Sequence, residues 1–373
     1  MTSPAPKPGI LEIAAYVGGK SKAAPGVTPI KLSSNEGALG PSPKAMAAFT
    51  AAAPDLHRYP DGGAIALRAA IARRYGLEAD RIVCGAGSDE LIALLTKAYA
   101  GPGDEVLYSQ HGFLMYPIAA KSVGATPIAV PEQNLTADID GLLAAVTPNT
   151  RILFLANPNN PTGTLLPAEA VRRLHAGLPA SVLLVLDAAY AEYVDRNDYD
   201  PGIGLVQAAD NVVMLRTFSK IYALAALRLG WAYCPPAIAD VLNRLRGPFN
   251  TGLAAQAAGV AAMEDQAFVD AVKAHNDIWR PWLAQELAAA GLSVVPSVAN
   301  FLLVRFPGGA AAAAACYRFL EARGLIVREM GGYGLGDCLR ITVGTEAECR
   351  AVAAGITAFC TEQSTTAAAG SAA

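Results

Sequence analysis

Between Lys44 and Pro248 the chain alternates apolar, β-branched runs with alanine- and leucine-rich helical stretches, and no other feature constrains the fold as much. The strands read from this rhythm are Arg81–Cys84, Glu105–Tyr108, Pro127–Val130, Arg151–Ala156, Val182–Asp187, Val212–Thr217 and Leu229–Cys234. Helical stretches such as Asp89–Ala100 and Pro167–Ala176 lie between them. Several of the strands are continuous apolar runs rather than alternating ones. Such strands are buried on both faces, so the expected fold class is α/β, with a mostly parallel sheet covered by helices on both sides.

After Asn250 the pattern changes. A long helical region runs from Leu253 towards Ala290, followed by shorter strands at Leu292–Pro296, Phe301–Phe306, Leu325–Arg328 and Leu339–Val343. The expectation is a large domain over 44–250 and a smaller α+β domain built from 251–361. Residues 1–43 join the small domain as an N-terminal arm. Residues 362–373 are small and polar and read as a disordered tail.

Composition excludes several function classes. Hydrophobic residues are 53% of the chain and charged residues 16%, yet no apolar run reaches the length of a membrane span. The N-terminus, with Pro4, Pro6, Pro8 and Gly9, has no signal-peptide core, so a cytoplasmic protein is expected. A net charge of −3 argues against a nucleic-acid partner. The six cysteines include no C-x-x-C pair and have no His-rich partner set, so neither a metal site nor a disulfide framework is expected.

Four motifs fall at or just after the C-terminal ends of these strands, the edge where open α/β sheets bind ligands. The turn Gly85-Ala86-Gly87-Ser88-Asp89-Glu90 opens a helix whose free N–H groups suit a phosphate. An ordinary strand–helix turn is the alternative, and a dinucleotide fingerprint fails because Glu90 stands at the third glycine position. Asn157-Pro158-Asn159-Asn160-Pro161-Thr162-Gly163 makes a rigid turn that presents the Asn157 amide; a capped loop would look the same. Asp187 ends a strand, with Tyr190 three residues on. A carboxylate there suits a protonated ring nitrogen, or else is a helix N-cap. Thr217-Phe218-Ser219-Lys220, followed by Arg228, sets one lysine among hydroxyls and an arginine. That is what a Schiff-base enzyme needs to hold an aldehyde cofactor with a phosphate; a solvated surface lysine is the alternative.

Taken in order, N-P-N-N-P-T-G, D-A-A-Y, T-F-S-K and R-L-G-W resemble the fold type I pyridoxal-phosphate aminotransferases over nearly the whole chain. The resemblance implies a large domain with a seven-stranded sheet and a pyridoxal 5′-phosphate cofactor. Lys220 would hold the cofactor covalently and shuttle the proton. Asp187 would pair with the ring nitrogen, and Asn157 and Tyr190 would bind its phenolic oxygen. Thr217, Ser219, Arg228 and the Ser88–Asp89 backbone would hold its phosphate. Tyr116 would stack on the ring, although His111-Gly112-Phe113 stands ahead of it where many relatives have Pro-x-Tyr.

Tyr16-Val17-Gly18-Gly19-Lys20, Leu32-Ser33-Ser34-Asn35-Glu36, Arg58-Tyr59-Pro60-Asp61 and Leu339-Arg340-Ile341-Thr342-Val343-Gly344 are similar, more narrowly, to the histidinol-phosphate aminotransferase family. This implies transamination between histidinol phosphate and 2-oxoglutarate, giving imidazole acetol phosphate and glutamate. It also implies a homodimer in which Tyr59 reaches the neighbouring cofactor phosphate. Tyr16, Asn35, Arg328 and Arg340 would bind substrate. Asn35-Glu36-Gly37-Ala38 departs from the Asn-Glu-Asn-Pro of many members, which implies a local loop difference. The competing readings are an aromatic aminotransferase, a phosphothreonine decarboxylase and a catalytically silent ligand-binding module.

Overall fold

The structure, a computed structural model, describes residues 4–22 and 26–371, with 364–371 described by backbone alone. The chain divides into two compact units. The larger contains Gly40–Asn160 and Leu165–Val269 together with the N-terminal residues as far as Tyr16; the smaller contains Val17–Leu39, Pro161–Thr164 and the chain from Asp270 onward.

Seven strands form the sheet of the larger unit: β1 (Ile82–Gly85), β2 (Glu105–Ser109), β3 (Thr126–Val130), β4 (Thr150–Ala156), β5 (Leu183–Asp187), β6 (Val212–Thr217) and β7 (Gly230–Tyr233). Their order is β1-β7-β6-β5-β4-β2-β3. The pairs from β6 through β3 are parallel, whereas β7 runs antiparallel to both β1 and β6. Every residue of β5 and β6 is buried, as their continuous apolar pattern requires. Val106, Phe154, Val185 and Leu215 from adjacent strands pack with Leu91, Leu95 and Ile92 of the helix Ser88–Tyr99. That helix carries Asp89 and Glu90 in its first turn and Lys97 in its last, matching its macrodipole.

In the smaller unit, β8 (Ser293–Val294), β9 (Phe301–Arg305), β10 (Arg328–Glu329) and β11 (Cys338–Thr342) form an antiparallel sheet ordered β8-β9-β11-β10. The helices Gly309–Glu321 and Glu346–Ser371 contribute Leu320, Val352 and Ile356 to its core.

Two boundaries differ from the sequence expectation. The larger unit extends to Val269 rather than ending near Asn250, because the helix Leu253–Glu264 packs against Pro43–Ala51 and Ile65–Tyr75 of that unit. The arm is also split, with the residues before Val17 grouped with the larger unit. Of the expected tail, 362–371 continues the last helix, in keeping with its alanine content; Ala372 and Ala373 lie outside the described residues.

Candidate active site

At the C-terminal edge of the larger sheet, β1 ends in Gly85 and the helix Ser88–Tyr99 begins three residues later. Gly87, at φ 89°, turns the chain through the left-handed region, and no side chain caps this helix start. Glu90 Oε2 accepts from Ala86 N (2.6 Å) and Asn250 Nδ2 (2.8 Å), which fastens the turn. Arg228, itself at φ 49°, reaches the same place from the loop before β7. Its Nη2 donates to Asp89 Oδ1 (2.6 Å), and its Nη1 to Ser219 Oγ (3.4 Å). Ser219 N donates to Thr217 Oγ1 (3.1 Å). A helix N-terminus, a guanidinium and two hydroxyls thus meet in one cup, which is suited to a phosphate.

Gly230 keeps that cup in shape. A Cβ on it would lie 2.5 Å from Ser88 N and 2.7 Å from the Gly87 carbonyl carbon, so only glycine lets β7 pass so close to the helix start. Gly230→Ala should push the helix start away and weaken binding of a phosphorylated cofactor about 10-fold or more, the loss of roughly one charge-assisted hydrogen bond. A dissociation constant within twofold of wild type, by titration, would contradict this role.

Deeper along the edge, Asp187 closes β5 and is buried. Its Oδ2 accepts from Tyr116 Oη (2.8 Å) and its Oδ1 from Ala189 N (3.3 Å). Burial pushes its carboxyl above the ordinary range; Tyr116, Ala189 and the charge of Lys220 pull the other way without cancelling it. Such a carboxylate gains from a cationic N–H. Lys220 Nζ lies 5.7 Å from the centre of the buried Tyr190 ring. Asn157 is held by a double bond to one residue, its Oδ1 accepting from Leu166 N (2.8 Å) and its Nδ2 donating to Leu166 O (3.0 Å). A primary amide has a second N–H to offer. Tyr199 Oη donates to Asn157 O (2.9 Å).

The smaller unit carries a different chemistry. Arg328 and Arg340 stand directly opposite each other on β10 and β11. Like charges at such a pair repel unless an anion is shared. Arg340 is buried; its Nη2 donates to Ser33 O (3.0 Å), and its guanidinium lies 5.4 Å from the Phe301 ring centre. Arg328 Nη2 donates to Val17 O (2.6 Å). Asn35 is buried at φ 56°, held by Thr342 Oγ1 (2.9 Å from its N) and by Asn300 Nδ2 (3.1 Å from its O).

The structure thus gathers Ser88, Asp89, Thr217, Ser219 and Arg228 into the cup, and places Asp187, Asn157, Tyr190 and Lys220 on the same sheet edge. Tyr116 is the exception. Its ring is 0% exposed and stacks face to face on Phe154, 4.7 Å between centres at 2°. That placement does not fit the expected stacking on a ligand; Tyr116 instead hydrogen-bonds Asp187. Phe113, three residues earlier and only half-buried, meets Tyr116 edge-on (6.0 Å) and Tyr16 edge-on (6.5 Å). Phe113 is the available aromatic face in this loop, and its place in His111-Gly112-Phe113 was the sequence signal for it. Tyr59 lies elsewhere, 82% exposed and stacked on Phe249 at 4.6 Å. Among the described residues, no group of three or more His, Cys, Asp or Glu side chains could hold a metal ion, and no helix is long and apolar enough to cross a membrane.

Known proteins resemble the chain over nearly its whole length. The family Aminotransferase class I and II matches residues 27–356. The chain is 66% identical over 361 residues to the histidinol-phosphate aminotransferase of Paramagnetospirillum magneticum, covering 96% of this chain and 99% of that one. It is 60% identical over 354 residues to that of Rhodospirillum centenum, covering 95% and 98%. Among solved structures, the histidinol-phosphate aminotransferase from Sinorhizobium meliloti in complex with pyridoxal-5′-phosphate is similar, with a TM-score of 0.88 and 31% identity over 95% of this chain and 97% of that one.

Proposed function

Because the chain belongs to the class I and II aminotransferases, we propose that it moves the amino group of L-histidinol phosphate to 2-oxoglutarate, giving imidazole acetol phosphate and glutamate. The observation that most directly supports this substrate is the 66% identity, over nearly the full length of both chains, to a histidinol-phosphate aminotransferase. The cofactor is pyridoxal 5′-phosphate, and the residues present fit it. The cup offers a phosphate site, and Asp187, whose burial cost is only partly met by protein donors, offers a partner for a ring N–H⁺.

When bound, the cofactor supplies an electron sink for the charge left on the substrate carbon. Asp187 keeps the ring nitrogen protonated. Asn157 Nδ2 and the Tyr190 hydroxyl orient the ring through its phenolic oxygen. The cup residues Thr217, Ser219 and Arg228, with the Ser88–Asp89 backbone, anchor the phosphate. Lys220 Nζ would hold the cofactor's aldehyde carbon and would take the proton from the substrate carbon that bears the amine. Phe113 covers a ring face in place of Tyr116. In the smaller unit, Arg340 and Arg328 would receive the substrate phosphate, which accounts for two arginines paired on adjacent strands. Asn35 and Tyr16 complete the substrate contacts. On this reading the larger unit is the cofactor-binding domain.

Arg340→Ala should raise KM for histidinol phosphate about 10- to 100-fold, the loss of a hydrogen-bonded charge contact. It should raise KM for an unphosphorylated amine donor much less. Equal effects on the two donors would assign Arg340 elsewhere.

The same reading makes the protein a cytoplasmic homodimer. Tyr59, Leu56, Met46 and Ile65 are large apolar side chains more than half exposed in the larger unit, a surface that suits a second copy. Tyr59 is the residue it would lend to the neighbouring cofactor. Sedimentation as a monomer at micromolar concentration would remove the dimer. All six cysteines are free and five are buried, which suits a reducing compartment.

The test of substrate is a single half-reaction. The holoenzyme is mixed with histidinol phosphate, phenylalanine or tyrosine without a keto acid, and the cofactor absorbance is followed. Fast bleaching by histidinol phosphate and slow bleaching by the aromatic acids is expected. The reverse order would make this an aromatic aminotransferase.

A further inference from the structure

A buried polar cluster joins the two segments that carry Tyr190 and Lys220, and the reaction outlined above makes no use of it. Arg216 stands in β6, four residues before Lys220, and is 3% exposed. Its Nη2 pairs with Glu192 Oε1 at 2.7 Å, and Glu192 follows Tyr190 by two residues. The same Nη2 donates to Tyr75 Oη (3.1 Å). Tyr75 Oη lies 3.3 Å from Glu192 Oε1 and 2.8 Å from the hydroxyl of Tyr222, two residues after Lys220. The Arg216 guanidinium lies 4.9 Å from the Tyr75 ring centre and 5.6 Å from that of Trp231.

One hydroxyl offers one proton and two lone pairs. Tyr75 accepts from Arg216, donates to Glu192 and shares a further hydrogen bond with Tyr222, whose hydroxyl also lies 3.6 Å from Met263 Sδ. It is the hub of a set with one member beside Tyr190 and two flanking Lys220.

Stability does not explain this arrangement. A buried ion pair is generally no more stabilising than apolar side chains of the same volume. Here the cost is not fully met, since Arg216 Nε and Trp231 Nε1 have no protein partner. Directional bonds do what apolar contacts cannot: they set the position of one segment against another. We propose that Glu192, Arg216, Tyr75 and Tyr222 are positioning residues that hold the Lys220 segment in register with the Tyr190 segment. The distance they maintain is the 5.7 Å between Lys220 Nζ and the Tyr190 ring centre.

This rests on the cofactor assignment but not on the choice of substrate. The experiment compares wild type with the double variant Glu192→Met/Arg216→Met, which removes both charges together, and with Tyr75→Phe, which removes only the hub hydroxyl. Each holoenzyme is measured by visible circular dichroism of bound pyridoxal phosphate and by kcat and KM with the best amine donor. The double variant should fold, lose about half of the visible band and show kcat about 10-fold lower with KM within about twofold, the signature of a displaced but occupied site. Tyr75→Phe should change both in the same direction and less.

A folded double variant with the wild-type band and kcat would overturn the proposal, as would a loss confined to KM. If the double variant does not fold, Tyr75→Phe decides alone, and a wild-type band and kcat in it would be fatal. Absence of any visible band in wild type would instead overturn the cofactor assignment.

Discussion

Lys220→Ala should lower kcat by about 10⁴-fold or more, at or beyond the top of the range for a single acid–base group. The size follows from a double loss. On the proposed reading the amine at Nζ would both hold the cofactor's aldehyde carbon and carry the proton from the substrate carbon, and alanine can do neither. The fold should survive, because Lys220 is only half-buried and its neighbours in the turn are held by their own bonds, among them Ser219 N to Thr217 Oγ1. Stopped-flow mixing of the variant with histidinol phosphate should show binding with almost no bleaching of the cofactor. Turnover at the wild-type rate would remove the whole catalytic reading.

Asp187→Asn should have the next largest effect, lowering kcat about 10²- to 10³-fold, as does loss of one preorganised charge-stabilising group elsewhere. An amide can accept from a ring N–H but cannot favour its protonated form as a carboxylate does. The same substitution should stabilise the cofactor-free protein. Burial raises the Asp187 pKa in the fold above the ordinary 3.8. For an acid raised on folding, the native state binds more protons than the unfolded one, so stability falls as pH rises from 3.8 through the folded value. At neutral pH the cofactor-free wild type is therefore less stable than at pH 4 on account of this group, a cost that the asparagine variant does not bear. Thermal unfolding of the cofactor-free proteins should give the variant the higher Tm at pH 7, with the gap narrowing towards pH 4. A lower Tm for the variant at pH 7 would mean that the carboxylate's hydrogen bonds outweigh its burial.

Much of this was legible in the sequence, for a physical reason. Strands buried on both faces write themselves as continuous apolar runs, so Val212–Thr217 was read with the bounds the structure has, and the other six strands of the large sheet to within a residue or so. Candidate groups at the strand ends could be named because a phosphate, a ring nitrogen and an aldehyde each demand a distinct residue type. Packing direction was not legible. Tyr116 and Phe113 sit three apart in one loop, and nothing in their spacing says which ring turns inward onto Phe154. The role of Arg216 was hidden for the opposite reason. It lies inside an apolar strand, and its partners Tyr75 and Glu192, with Tyr222 bonded to Tyr75, come from three other places in the chain. The split of the N-terminal arm at Tyr16 left no mark in composition.

The antiparallel strand β7 has a consequence for how the protein is made. The edge strand β1 is hydrogen-bonded to β7 alone, although the two are separated by more than 140 residues of sequence. Until β7 slots between β1 and β6, Gly230 is not beside Ser88 and Arg228 has not reached Asp89. A nascent chain can build the parallel strands β2 to β6 and still have no place to put a phosphate. Pairings this distant are slow to form, because closing the intervening loop comes before any return from the contact. On the proposed reading, cofactor capture should therefore be a late event in biosynthesis, gated by the arrival of a single short strand. A ribosome-bound chain that stops short of Gly230 should be unable to retain pyridoxal phosphate, however much of its sheet has already assembled.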